Sequence, residues 1–267
     1  MQFACGWSLK INSLAFIKMK PLIIANWKCN PTTLEEAKLL FDSVVRGIKG
    51  ITNVETIICP PFVYLPILGA SVSAQGFGGL RLGSQDCFWE EKGAYTGEVS
   101  PTMLKDLGCE YAIIGHSERR RYFNESDEMI NKKIKAALSA KLKVILCVGE
   151  TLEEKKSGGT EKVIESQIKN GLEGIIGKGP LSDLILAYEP VWAIGAGKAC
   201  GIPEARAVNL FIRKIIKNSP IIYGGSINSQ NANDFIKKAE FQGFIIGSVS
   251  LDPEEFTKLV KNIDLIS

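Results

Sequence analysis

From Pro21 onward the chain alternates two hydrophobic patterns. Short, nearly unbroken apolar runs predict strands at Leu22–Ala25, Glu55–Cys59, Leu80–Ser84, Tyr111–Gly115, Lys143–Val148, Leu184–Tyr188, Ile221–Tyr223 and Gly243–Ile246. Unbroken rather than alternating apolarity is expected where a strand is covered on both faces. The stretches between them carry helix-start signals. Thr33-x-x-Glu36 and Thr151-x-x-Glu154 have capping-box spacing. Ser100-Pro101 and Asp252-Pro253 place a capping side chain before a proline at the first helical position. Ser126 and Ser229 are expected to open two more helices, and the last helix is expected to run to about Asn262.

Eight strands alternating with helices over residues 21–262, undivided by any charged or Pro/Ser-rich linker, predict one α/β domain closed as a (β/α)8 barrel. A doubly wound open sheet is the alternative. It usually carries a glycine-rich fingerprint after its first strand, where this chain has Asn26-Trp27-Lys28-Cys29-Asn30. The barrel domain is expected to span residues 21–267. Met1–Lys20 lacks a clear period and lacks the order of features in a signal peptide. It is expected to be a disordered extension or the product of an upstream start, with a docked helix or a targeting segment as alternatives.

Composition narrows the function. With 267 residues and 45% apolar content the chain can bury a large core. A net charge of +3 without Lys/Arg blocks argues against nucleic acid, and no apolar run reaches the ~20 residues of a membrane span. The seven cysteines are scattered without a CxxC pair, which fits a reducing cytoplasm; with one histidine in the chain, no metal site is expected.

That histidine, His116, follows the apolar run Tyr111-Ala112-Ile113-Ile114. In a barrel of this kind chemistry gathers beyond the carboxyl ends of the strands. Strand one delivers Asn26 and Lys28, whose i, i+2 spacing on an extended segment would turn both to one side. Strand four delivers His116 and Glu118, and strand six delivers Glu189. Strands seven and eight deliver Gly224-Gly225-Ser226 and Gly247-Ser248, where missing Cβ atoms let backbone N–H groups approach an anion. Taken singly, each has a bland reading as a solvated charge or a turn. Together they supply a base, an imidazole, a cation and an anion grip, which favours a small phosphorylated ligand. Pro190-Val191-Trp192-Ala193-Ile194-Gly195-Ala196-Gly197-Lys198 follows Glu189 without a gap and suits a hinged lid that excludes water.

Asn26-Trp27-Lys28, Ile114-Gly115-His116-Ser117-Glu118-Arg119-Arg120, Ala187-Tyr188-Glu189-Pro190-Val191-Trp192-Ala193-Ile194-Gly195, Tyr223-Gly224-Gly225-Ser226 and Ile246-Gly247-Ser248 resemble the triosephosphate isomerase family in order and spacing. The resemblance covers residues 21–262 and implies a TIM barrel needing neither cofactor nor metal. It implies interconversion of dihydroxyacetone phosphate and D-glyceraldehyde 3-phosphate through an enediolate, in glycolysis and gluconeogenesis. Glu189 is then the base, and His116 the electrophile and proton shuttle. Lys28 and Asn26 contact the substrate, and Glu118 supports Lys28 and His116. Gly195, Ser226, Gly247 and Ser248 grip the phosphate. Pro190, Trp192, Ile194, Gly195, Ala196, Gly197 and Lys198 belong to the lid. Thr96, in Gly93-Ala94-Tyr95-Thr96-Gly97-Glu98, lies on a loop that docks into a partner subunit, implying a cytoplasmic homodimer.

The chain departs from the family pattern at several places. Ala196 replaces a lid threonine. The second hinge reads Lys198-Ala199-Cys200 and is one residue longer. Ser248 stands where a second glycine is common, and Asp86 where asparagine is common. Alternatives of another class are a catalytically impaired phosphate-binding barrel and a different sugar-phosphate isomerase or aldolase. An aldolase would want a lysine buried mid-strand.

Overall fold

The strand residues divide by parity. In β1 (Leu22–Asn26), Leu22 and Ile24 join one buried cluster while Ile23 and Ala25 join another. In β5 (Lys143–Val148), Ile145 and Cys147 go with the first, and Val144, Leu146 and Val148 with the second. The first cluster fills the interior of a cylinder; the second lies between the cylinder and its helices. This is why the strands read as unbroken apolar runs. Each fully buried Ile or Leu contributes roughly 2 kcal/mol.

The computed structural model describes residues 19–75, 79–176, 181–195 and 199–267. Its remaining strands are β2 (Glu55–Cys59), β3 (Leu80–Ser84), β4 (Cys109–Ile114), β6 (Leu184–Tyr188), β7 (Ile221–Tyr223) and β8 (Gly243–Ile246). All neighbours pair in parallel, and β8 returns to β1 with Leu22 opposite Gly243, closing an eight-stranded barrel. The open-sheet alternative is thereby excluded. Helices α1 (Leu34–Gly47), α2 (Leu65–Gln75), α3 (Pro101–Asp106), α4 (Ser117–Phe123), α5 (Asp127–Ser139), α6 (Leu152–Lys156), α7 (Thr160–Gly171), α8 (Ile202–Ile215), α9 (Ala232–Lys237) and α10 (Pro253–Asp264) surround it. Of the expected extension only Met19 and Lys20 fall within the described residues, and both are exposed.

Most helix starts behave as expected. Ser100, Ser126 and Asp252 each accept a backbone N–H of the first turn, and Thr151 with Glu154 forms the full reciprocal box. Thr33 makes half of one: its hydroxyl accepts from Glu36 N–H, while the Glu36 carboxylate accepts from the neighbouring Thr32 hydroxyl instead. Ser229 opens no helix. Its N–H donates to Glu255, and α9 starts three residues later, after an Asn228–Asn231 turn in which each side chain accepts the other's backbone N–H. Strand β4 starts two residues before its predicted bound and stops at Ile114, because Gly115 turns the chain at φ +75°.

Candidate active site

Parity also aims the site. Asn26 lies two residues beyond inward-facing Ile24, and Glu189 two beyond inward-facing Ala187, so both continue the inner face into the barrel mouth. Both are buried. His116 arrives by another route: the left-handed turn at Gly115 redirects the chain, and the imidazole caps α4 by accepting Glu118 N–H on Nδ1 at 3.2 Å. With Nδ1 an acceptor, the ring proton sits on Nε2. Nε2 lies 3.2 Å from Glu189 Oε1.

Glu189 has a second anchor, since Oε2 accepts Ser117 N–H at 3.0 Å. The carboxylate is thus held against the α4 start rather than over the middle of the cleft. Behind it the Cys147 thiol is pushed well above its usual range, first by burial and then by the Glu189 charge, so it stays protonated.

Lys28 reaches the cleft in a way its spacing did not foretell. The segment is not extended there: Lys28 has φ +54°, a strained value for a side-chain-bearing residue. Asn26 Oδ1 accepts Lys28 N–H at 3.1 Å, and Gln85 Nε2 donates to Lys28 carbonyl at 2.8 Å and to Cys59 carbonyl at 2.9 Å. The Lys28 ammonium donates to Glu118 Oε1 at 2.6 Å, and the other Glu118 oxygen lies 3.7 Å from His116 Nδ1. Glu118 therefore sits behind the cation and outside the cleft wall.

A cleft of about 400 Å³ collects Asn26, Lys28, His116, Glu189, Ile194, Gly195, Ser226, Gly247 and Ser248. Its far wall is the rim of β7 and β8, where a short 3₁₀ turn, Ser248–Leu251, begins after Gly247 with no side-chain cap. The glycines serve the side chains as well as an anion. A Cβ on Gly224 would lie 2.8 Å from Glu189 Cγ, and one on Gly247 would lie 3.1 Å from Lys28 Cε. Ser226 spends its hydroxyl on the turn after Pro190, donating to Ala193 carbonyl at 2.8 Å.

Pro190 and Trp192 stand outside the cleft. Trp192 lies in a 3₁₀ turn (Val191–Ala193) and donates its indole N–H to Glu150 Oε1 at 2.8 Å. Burial raises the pKa of the Glu150 carboxyl. Ala196, Gly197 and Lys198 lie outside the described residues. Thr96 is exposed on the segment between β3 and α3, away from its own cleft.

Residues missed by pattern reading have their partners far along the chain. Gln85, just beyond β3, braces Lys28. Gly149, after β5, allows the closest approach in the site: a Cβ there would lie 1.7 Å from Glu189 carbonyl. Gln167 of α7 clamps Gly149 by accepting its N–H and donating to its carbonyl. Asp86 belongs to a buried cluster beside the site, accepting from Lys133 at 2.7 and 2.9 Å and from Arg119 at 2.9 Å. Glu125 shares both cations. Burial lifts Asp86 to about 6 against the pull of Lys133, with Glu125 adding to the rise and Arg119 opposing it.

The triosephosphate isomerase family model matches residues 21–263. The chain is 45% identical to a triosephosphate isomerase of Aquifex aeolicus over 250 residues, covering 91% of this chain and 99% of that one. It is 44% identical to one of Endomicrobium trichonymphae over 250 residues, covering 91% and 98%. The crystal structure of triosephosphate isomerase from Bartonella henselae superposes with a TM-score of 0.79 at 32% identity, covering 91% of this chain and 99% of that one. With the match running through every strand that carries a cleft residue, the chain belongs to the triosephosphate isomerase family.

Proposed function

We propose that Glu189 and His116 perform the family's reaction here, the interconversion of dihydroxyacetone phosphate and D-glyceraldehyde 3-phosphate. The observation that carries this assignment is their adjacency: a carboxylate oxygen 3.2 Å from an imidazole Nε2 whose other nitrogen is already an acceptor. The ring can donate to a substrate oxygen. The carboxylate is free to accept a proton.

The phosphate would sit at the rim formed by Gly195, Ser226, Gly247 and Ser248, placing the carbonyl and hydroxyl carbons between Glu189 and His116. Glu189 leaves Ser117 N–H and comes over the carbon. It removes the proton next to the carbonyl. Negative charge builds on the enediolate oxygens, met by His116 Nε2–H, by Asn26 and by the Lys28 ammonium. His116 moves a proton between the two oxygens, and Glu189 returns one to the neighbouring carbon. Proton removal and return balance, so no electron acceptor is consumed. Lid closure over the cleft shields the phosphorylated enediolate from water.

The catalytic unit is residues 21–267. The molecule acts in the cytoplasm, consistent with six free cysteines among the described residues. It works as a homodimer in which the Thr96 loop docks near a partner's cleft. Exposed Val63, Tyr95, Met103, Tyr122 and Phe123 supply apolar area for that contact. Alternative roles as an impaired scaffold or an aldolase find no support: Glu189 and His116 are present and adjacent, and Lys28 sits at the strand end, paired to Glu118. The test is a coupled assay of wild type and Glu189→Gln without added metal, the nicotinamide nucleotide serving the coupling enzyme alone. Turnover should fall by about 10²–10⁴-fold with substrate affinity nearly kept. Undiminished turnover in the variant would remove Glu189 from the role of base.

A further inference from the structure

The lid's first turn is held from two sides. The edge of the Trp192 indole donates to Glu150, whose Oε1 also accepts the Tyr188 hydroxyl at 3.2 Å. Its face is covered by the Lys155 ammonium, 3.3 Å from the ring centroid. Lys155 belongs to α6, and the same ammonium pairs with Glu204 Oε1 at 2.6 Å. Glu204 lies in the first turn of α8, immediately beyond the lid's second hinge. There burial, and then the Glu204 charge, push the Cys200 thiol up to about 12, and Cys200 N–H donates to the Tyr223 hydroxyl at 3.1 Å. One lysine therefore joins the two ends of the lid.

The turn it grips carries the base. Glu189 is followed by Pro190, whose φ is fixed, and Ala193 N–H closes the turn on Pro190 carbonyl at 2.8 Å. Val191 N–H donates to Glu150 carbonyl at 3.1 Å. Segment 189–193 is short and stiff. Glu150 and Lys155 stand on elements packed against the barrel. If Glu189 advances from Ser117 N–H toward a substrate, Trp192 must shift against both of its holders. The contacts on Trp192 thus belong to the withdrawn position of the base.

We infer that Lys155 is a positioning residue that bridges Trp192 and Glu204 and thereby sets the balance between withdrawn and advanced Glu189. The inference rests on the reading of Glu189 as base and of segment 190–198 as a lid. It follows that the bridge opposes tight binding of any ligand that draws the base forward, and speeds release.

The probe is 2-phosphoglycolate, whose carboxylate imitates the planar enediolate. Lys155→Met should bind it about three- to tenfold more tightly, the range expected for losing one partly exposed cation–π contact from the competing state. KM and kcat should both fall, leaving kcat/KM less changed than either. Lys155→Arg, which keeps a cation over the ring and a partner for Glu204, should restore wild-type values. Glu204→Gln should shift affinity the same way by less. Unchanged or weakened affinity in Lys155→Met, or an arginine variant that behaves like methionine, would overturn the inference. Affinity reports on the lid whichever residue is the base. Failure of the Glu189 assignment is therefore seen separately, in the turnover of Glu189→Gln.

Discussion

The two ends of the barrel gather ionisable side chains and use them differently. At the foot, Glu55 accepts the Tyr111 hydroxyl at 2.6 Å, Lys143 donates to the same hydroxyl at 3.1 Å, and Arg81 pairs with Glu110 at 3.1 Å. Burial and then the Glu55 contact raise the Tyr111 hydroxyl, so it stays a donor. The polar groups there close on one another. At the mouth, groups of the same kinds also pair, Lys28 with Glu118 and Glu189 with His116, but Lys28, His116 and Glu189 line about 400 Å³ of open cleft. Lys28 is strained at φ +54°, and Glu189 rests on a backbone N–H that it can leave. The foot shows what satisfied charges look like in this fold; the mouth departs from that pattern where a guest can complete it.

The contrast can be broken at the mouth first. Lys28→Gly should lower kcat/KM by about 10³-fold, a large electrostatic loss at developing charge. The left-handed backbone suits glycine, so the melting temperature should not fall with it. Steady-state kinetics alongside thermal unfolding checks both; parallel losses would make Lys28 a structural residue. Gly149→Ala comes next. A methyl group aimed at Glu189 carbonyl should displace the base, lowering kcat at least about tenfold and costing roughly 2–4 kcal/mol in denaturant unfolding.

Smaller effects sharpen the contrast. Asp86 lies close to the mouth yet its cluster closes on itself as the foot does, with two carboxylates on two cations. Its folded pKa stands above the unfolded value, so ionising it costs stability as pH rises through about 6. Asp86→Asn should raise the melting temperature by roughly 2–6 °C at pH 8, and the gain should vanish below about pH 4, where both side chains are neutral. A gain independent of pH would point to packing instead. The smallest change is at the foot: Tyr111→Phe should cost about 1 kcal/mol and leave kcat and KM alone.

The strands were legible because double burial makes them continuous, and the order of strand and helix implied closure. The side chains that gather in the cleft were legible as residue types at strand ends. Its wiring was not. The Ser117–Glu189 bond, the Gln85 brace and the Gly149–Glu189 approach join residues 40 to 72 positions apart, and no local spacing encodes them. Lys28 reached its place by a turn, where spacing had implied an extended strand. Ser229 was misread because an Asn228–Asn231 pair took over the turn that a serine cap would have made.

The central claim is that Glu189 moves a proton rather than merely lining the cleft. Isomerising D-glyceraldehyde 3-phosphate in deuterium oxide tests it directly, by proton NMR of the ketose product. A carboxylate that takes the C2 proton can exchange it with solvent before returning one to C1. The account predicts deuterium at C1 in a substantial share of the product, with Glu189→Gln losing this exchange while still binding inorganic phosphate. Product formed without deuterium by the wild type, and at an undiminished rate by Glu189→Gln, would mean that hydrogen migrates directly between the carbons, and that the carboxylate is not the base.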